Sequence, residues 1–349
     1  MSLCFLLHLD KSQTYFMKNS LYLILLALLF LPSCNTSDRP KTRENKQDGK
    51  TETISIPDFN ADSAYLYVKQ QVDFGPRVPN TPAHEKCADF LVQKLQQYCK
   101  DVIVQKGQVK AFNGTILNIK NIIASFTPEV NNRIFLCAHW DSRPWADHDP
   151  DIKNHQKPID GANDGASGVG VLLEIARQIS ISKPGIGIDI IFFDAEDYGP
   201  HQDQKPDEDT GDWWGLGSQY WSRKQHVENY FARYGILLDM VGAPGATFLK
   251  EGISMQYAPE IVEKVWRTAN RIGYSGYFYF ERGNTITDDH YFINKIKNIP
   301  TIDIIHLDRM SPTGFYHTWH TINDNMSNID KNTLKAVGQT VLTVIYEEK

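Results

Sequence analysis

The sequence predicts an α/β fold, a mostly parallel mixed central sheet with helices on both faces, and three observations lead there. Short apolar runs such as Ile188 to Asp194 and Ile236 to Met240 read as strands buried on both sides. Amphipathic helical periods alternate with those runs along the chain. Of the 349 residues 41% are hydrophobic and 22% charged, a balance that supports a sizeable core.

The first segment is not part of that fold. Lys18 precedes an apolar run, Leu21 to Leu31, which meets Pro32-Ser33-Cys34. A positive start, a short apolar stretch and a small residue before cysteine form a secretory signal. The run falls short of the roughly 20 apolar residues a spanning helix needs. Leu31-Pro32-Ser33-Cys34 resembles a bacterial lipobox, which implies lipid anchoring on Cys34 and an exported, periplasmic or cell-surface lipoprotein. A plain signal peptide with an incidental cysteine is the alternative. Met17 offers an internal start, with Met1 to Phe16 as upstream extension. Residues 1–34 are therefore read as signal peptide with lipobox and 35–53, polar and without large apolar side chains, as a flexible tether. Residues 54–349 form a single catalytic domain in this reading.

Within it, Ala64, Tyr65, Val68 and Val72 mark the apolar face of a helix from Ala61 to Asp73, broken by Phe74-Gly75-Pro76. Pro82 leads into a second helix, His84 to Tyr98. Cys87 and Cys99 on that segment would lie about 18 Å apart along a continuous helix, too far for a disulfide, which tolerates about 7 Å between Cα atoms. With Cys137 they are expected to be buried free thiols. Strands follow at Leu117 to Ser125 and Arg133 to His139, then a helix from Ala166 to Ile179. The two apolar strands come next, then a helix at Pro259 to Ile272, a strand at Thr301 to Ile305 and a helix at Lys331 to Tyr346. Tyr198 to Asp212 is acidic and longer than most loops, a functional lid or insert. Its composition fits a solvated acidic loop better than a calcium site. A net charge of −6 and the lack of a Lys/Arg run exclude nucleic acid as a partner.

Polar residues able to bind a metal fall where strands end. His139-Trp140-Asp141 closes one strand, Glu196-Asp197 follows the next, and Asp239 ends a third. Asp164 lies between glycines before the helix from Ala166, and His320 precedes the last helix. Ligands of open parallel sheets bind outside the carboxyl ends of the strands, so these five points can converge. Zinc takes nitrogen and carboxylate ligands and, for catalysis, keeps one position open. Singly, each has an ordinary explanation: a core histidine, a helix start favouring acid, or Asp164 as an N-cap.

This order resembles the zinc aminopeptidase and glutaminyl cyclase superfamily, whose two-zinc peptidases use five such positions, here His139, Asp164, Asp197, Asp239 and His320. Spacing does not separate peptidase from cyclase. Gly242-Ala243-Pro244 after Asp239, Asp288-Asp289-His290, and Trp319-His320-Thr321 followed by Asp324-Asn325 are similar to animal-type glutaminyl cyclases. That resemblance implies cyclisation of N-terminal glutamine to pyroglutamate with release of ammonia, on peptide or protein N-termini. It implies one zinc on Asp164, Asp197 and His320, with Glu196 as proton shuttle and Asp239 and Asp288 as an acidic hydrogen-bonding pair. Trp319 would line the pocket, with Trp213 or Trp214 supplied by the insert. Animal cyclases carry Glu at the position of Asp197 and Gln at that of Thr287. His139 and Asp239 would be hydrogen-bonding residues, or would complete a second zinc site in a two-zinc aminopeptidase.

Overall fold

The computed structural model describes residues 55–204 and 212–349. The segments read from the sequence as signal peptide with lipobox and as tether, and residues 205–211 of the acidic insert, lie outside the described residues. The elements run α1 (Ala61–Val72), α2 (Pro82–Tyr98), β1 (Val102–Lys110), β2 (Ile116–Phe126), β3 (Arg133–His139), α3 (Ala166–Ile181), β4 (Gly187–Phe193) and α4 (Leu216–Arg223). They continue as β5 (Gly235–Asp239), β6 (Phe248–Lys250), α5 (Gly252–Tyr257), α6 (Pro259–Arg271), β7 (Phe278–Arg282), α7 (Asp289–Phe292), β8 (Thr301–Ile305) and α8 (Lys331–Glu347).

Helix starts follow local chemistry. Asn60 and Thr81 accept backbone N–H groups of Ser63 and His84 at the heads of α1 and α2, and Pro82 occupies a first-turn position where a missing N–H costs nothing. Cys99 falls just past α2 as its C-cap, and Cys87, Cys99 and Cys137 are free and buried, as expected.

One six-stranded sheet, ordered β1-β2-β4-β3-β5-β8, carries the fold. β4, β3, β5 and β8 are parallel neighbours, while β2 pairs antiparallel with β4 and with β1. The mostly parallel mixed sheet expected from the sequence is thus present, with its antiparallel members at one edge. Alternate residues face two cores. Ile134, Leu136, Ile190, Phe192, Ile236 and Leu238 pack with Val169, Leu172 and Leu173 of α3. Phe135, Cys137, Ile191, Phe193 and Leu237 pack on the other face with Trp221 of α4.

β1 was not anticipated, because its Gln, Lys and Gly residues and exposed positions lack an apolar signature. It is an edge strand held by register with β2. Gly107 within it makes room for the Tyr220 ring, from which an added Cβ would sit 2.6 Å. From β3 the chain crosses through α3 to β4, then returns past β3 to β5. The strand order therefore reverses at β3, and the carboxyl ends of β3, β4 and β5 open on one crevice.

Candidate active site

Three backbone turns at that crevice aim the side chains. Ala195, Met240 and His320 adopt positive φ (52°, 49° and 53°), a conformation non-glycine residues seldom hold without a local requirement. Gly165, at φ 94°, admits no side chain because an added Cβ would lie 2.7 Å from the Asp141 carbonyl oxygen. The residue before α3 is this glycine, with no side-chain cap. Asp164 is therefore not an N-cap, and its carboxylate turns to two histidines instead.

His320 Nε2 lies 3.3 Å from Asp197 Oδ1 and 3.5 Å from Asp164 Oδ2. His139 Nε2 lies 3.0 Å from Asp164 Oδ1 and 3.2 Å from Asp239 Oδ1. All five residues expected from the sequence thus meet, and all are buried. Two ligands about 2.0–2.1 Å from a tetrahedral zinc are roughly 3.3–3.4 Å apart, and the separations of His320 from Asp197 and Asp164 come close to that. Asp197 Oδ2 is buried with no protein partner, an unsatisfied oxygen that a cation would satisfy. The trio fits zinc.

The supporting residues are mostly ones sequence reasoning left without a role. Asp141 accepts the N–H groups of Glu196 (3.0 Å) and Asp197 (3.2 Å), fixing the turn that presents both. Asp324 accepts the N–H groups of Asn163 (2.8 Å) and Asp164 (3.0 Å), and burial pushes its carboxyl up to about 7. The signal for Asp141 was its place two residues after His139; Asp324 stood out only within the run after Trp319-His320-Thr321 that resembles the cyclases, with no role attached.

Beside the trio opens a cavity of about 230 Å³. Trp214, Ile286, Ile305, Phe315 and Trp319 form apolar wall, and Glu196, Asp239, Thr287 and Asp288 line it too. Trp319 stacks on His320, ring centres 3.7 Å apart. Of the two tryptophans left open, Trp214 lines the cavity and Trp213 is not among its lining residues.

Electrostatics here are dominated by burial. It holds the Glu196 carboxyl well above its usual range, helped by the negative charge of Asp288. Burial likewise raises Asp239, to about 8, against the opposing hydrogen bond from His139. Asp288 Oδ1 is taken by the backbone N–H of Asp289, and Oδ2 has no partner. The Asp239–Asp288 relation is thus a through-space coupling of charges across the cavity. A buried carboxylate cluster of this kind is a proton-handling site when a divalent cation neutralises part of it.

The model for peptidase family M28 matches residues 121–345. The chain belongs to peptidase family M28. Within it, this M28 chain is similar to the Bacteroides thetaiotaomicron glutaminyl cyclase bound to N-acetylhistamine, at 59% identity and TM-score 0.83, over 84% of this chain and 100% of that one. A Zn-dependent exopeptidase from Parabacteroides distasonis is 56% identical with TM-score 0.83, again over 84% and 100%. The glutaminyl-peptide cyclotransferase of Drosophila melanogaster is 26% identical over 294 residues, 77% of this chain and 76% of that one. The resemblance drawn from the Gly-Ala-Pro, Asp-Asp-His and Trp-His-Thr segments is borne out.

Proposed function

We infer that the protein is a zinc-dependent glutaminyl-peptide cyclotransferase, which closes an N-terminal glutamine onto itself as pyroglutamate and releases ammonia. The observation that carries this is the position of Glu196. Its backbone N–H is fixed on Asp141, and its carboxyl lines an apolar-walled cavity beside the Asp164, Asp197 and His320 trio.

In this reading those three residues hold one zinc. When bound, zinc supplies Lewis-acid polarisation of the side-chain amide carbonyl. Everything else is done by the chain. The cavity folds the glutamine so that its α-amine faces its own amide carbon, and an intramolecular nucleophile so placed gains much of its rate from position. Trp214 and Trp319 grip the apolar part and displace water. Glu196 accepts the proton lost by the attacking amine and returns it to the departing nitrogen, which leaves as ammonia. Thr287 offers a hydroxyl to the substrate amide where animal cyclases have Gln. Asp239 and Asp288 share charge beside Glu196 and set how readily it takes and gives a proton.

One observation favours a second reading. The distances from His139 Nε2 to Asp164 and Asp239 would also suit a metal, which would give a two-zinc aminopeptidase. The cyclase reading takes the same contacts as hydrogen bonds from a charged imidazole. Burial works against that charge, but Asp141, Asp164 and Asp239 together raise the His139 pKa well above its usual value. Metal analysis with parallel assays of ammonia release from glutaminyl peptides and of leucyl-peptide cleavage decides between them. One zinc and ammonia release are expected; two zincs with leucyl cleavage would overturn the proposal.

We further propose export as a lipoprotein anchored through Cys34, acting on peptide and protein N-termini outside the cytoplasm. Replacing Cys34 with Ala is expected to move the protein from the membrane to the soluble fraction.

A further inference from the structure

Arg143 follows β3 by four residues and is 1% exposed. All five of its N–H donors are engaged. Nε and Nη2 donate to Asp147 Oδ1 (2.7 Å) and Oδ2 (2.6 Å) as a two-pronged fork, and Nη2 also donates to the Pro200 carbonyl oxygen (3.0 Å). Nη1 donates to Asp197 Oδ1 (3.2 Å) and to the Asp197 carbonyl oxygen (3.3 Å). The guanidinium carbon lies 5.0 Å from the centre of the Trp214 ring and 5.6 Å from that of Trp145, within reach of cation–π attraction.

Two of these acceptors bear on the metal trio. Asp197 belongs to it, and Asp147 Oδ1 lies 3.5 Å from Nδ1 of His320, the ring nitrogen that faces away from Asp164 and Asp197. We propose that the Arg143–Asp147 pair is a positioning device that fixes two of the three zinc ligands, Asp197 directly and His320 through Asp147, and seats Trp214 in the pocket wall. The proposal rests on the zinc reading of the site and not on the reaction catalysed there.

The physical case is one of orientation. A histidine ligand is held in tautomer and ring angle by what its second nitrogen faces, and Asp147 Oδ1 is the carboxylate oxygen that Nδ1 faces, in charge contact at 3.5 Å without a formed hydrogen bond. Asp197 is one methylene shorter than glutamate, so less of its placement comes from its own torsions. Arg143 grips both its Oδ1 and its main-chain oxygen, and so holds the carboxylate in the orientation that brings Oδ1 to 3.3 Å from His320 Nε2. A fork of fixed geometry suits this; a lysine ammonium cannot reach three separated acceptors in the same plane. Because the same guanidinium lies by Trp214 and takes the Pro200 carbonyl, ligand geometry and the entry of the acidic insert are tied to one side chain.

The test uses R143K and D147N in the full chain, with zinc affinity measured by competition against a chromogenic chelator. The visible spectrum of the cobalt-substituted protein reports ligand geometry. Both variants are expected to bind zinc about 10- to 100-fold more weakly and to shift the cobalt bands, with the far-ultraviolet circular dichroism of the metal-free protein unchanged. R143K also loses the seat of Trp214, so its KM for glutaminyl peptides is expected to rise several-fold, whereas D147N leaves KM near that of the parent. Zinc affinity within twofold of the parent in folded R143K overturns the proposal, and an unchanged KM overturns its Trp214 part. Should R143K fail to fold, D147N decides alone, and should that fail too, the charge-neutral R143M/D147N double variant takes its place. A parent chain that binds one zinc but releases no ammonia would remove the cyclase reading and leave this one in place.

Discussion

Glu196 is placed by its backbone and left free at its carboxyl, which makes it open to a clean test. Asp141 takes its N–H and that of Asp197, so the turn is fixed whatever the Glu196 side chain does. Glu196→Gln keeps the shape and removes the proton acceptor. Ammonia release is expected to fall by about 10²–10⁴-fold in kcat, with zinc content and KM near those of the parent; a variant that still turns over at the parent rate excludes Glu196 as the shuttle. At this scale the sequence was informative wherever a residue's function and its position at a strand end coincided, as at His139, Asp164, Asp197 and Asp239. For residues that act on other residues, the contacts they make were not legible. Asp324 holds backbone N–H groups 160 and 161 positions away, and no local pattern announces such a contact.

Elements carry the site by two close approaches. Gly168 lets α3 lie against β5, for an added Cβ would come 2.1 Å from the Leu238 carbonyl oxygen and 2.9 Å from Ala138 Cβ. Gly168→Ala is expected to destabilise the fold by about 1–3 kcal/mol through forced separation and to lower activity with it, since Asp239 follows Leu238 directly. Chemical denaturation with matched kinetics checks this, and unchanged stability would mean the helix can shift at no cost. The second approach is made by Glu251, which caps α5 through Ile253 and Ser254 and also accepts the N–H of Ile286 in the pocket wall (2.9 Å) and bonds His290 Nε2 (3.0 Å). Burial raises its pKa, but the hydrogen bond and charge of His290 and the capping bonds outweigh it and bring the carboxyl from 4.5 down to about 2. A carboxyl lowered by folding stabilises fully above its unfolded pKa and loses that contribution as pH falls toward the folded value. Glu251→Gln should therefore cost up to about 3 kcal/mol at neutral pH, and the gap from the parent should close between about pH 4.5 and 2. A gap independent of pH would assign the effect to packing alone. Long apolar strands and capped helices were legible in the sequence because burial on both faces and helical period leave strong marks. β1, the short β6–β7 pair and the small helices α5 and α7 were not, since exposed strands and helices of one or two turns leave none.

For the whole molecule, the crevice concentrates negative charge. Asp164, Glu196, Asp197, Asp239 and Asp288 are all buried around one cavity, with His139, His320 and Arg143 as the nearby cationic groups. Burying like charges together opposes folding unless a cation or protons neutralise them. The strands whose carboxyl ends present His139, Glu196, Asp197 and Asp239, namely β3, β4 and β5, are also the centre of the sheet, so the site's electrostatics act on the core. A divalent ion bound only by the folded chain adds RT ln(1 + [L]/Kd), about 4 kcal/mol when free zinc is 1,000 times Kd. Chelation is therefore expected to lower Tm by several degrees, in proportion to the logarithm of the free zinc concentration, and readdition of zinc should restore it. The same titration on Asp164→Asn, which lacks one ligand, should give a much shallower dependence. If Tm of the parent were indifferent to chelation, the carboxylates would have to be neutralised by protons alone, and zinc would have no part in holding the crevice together.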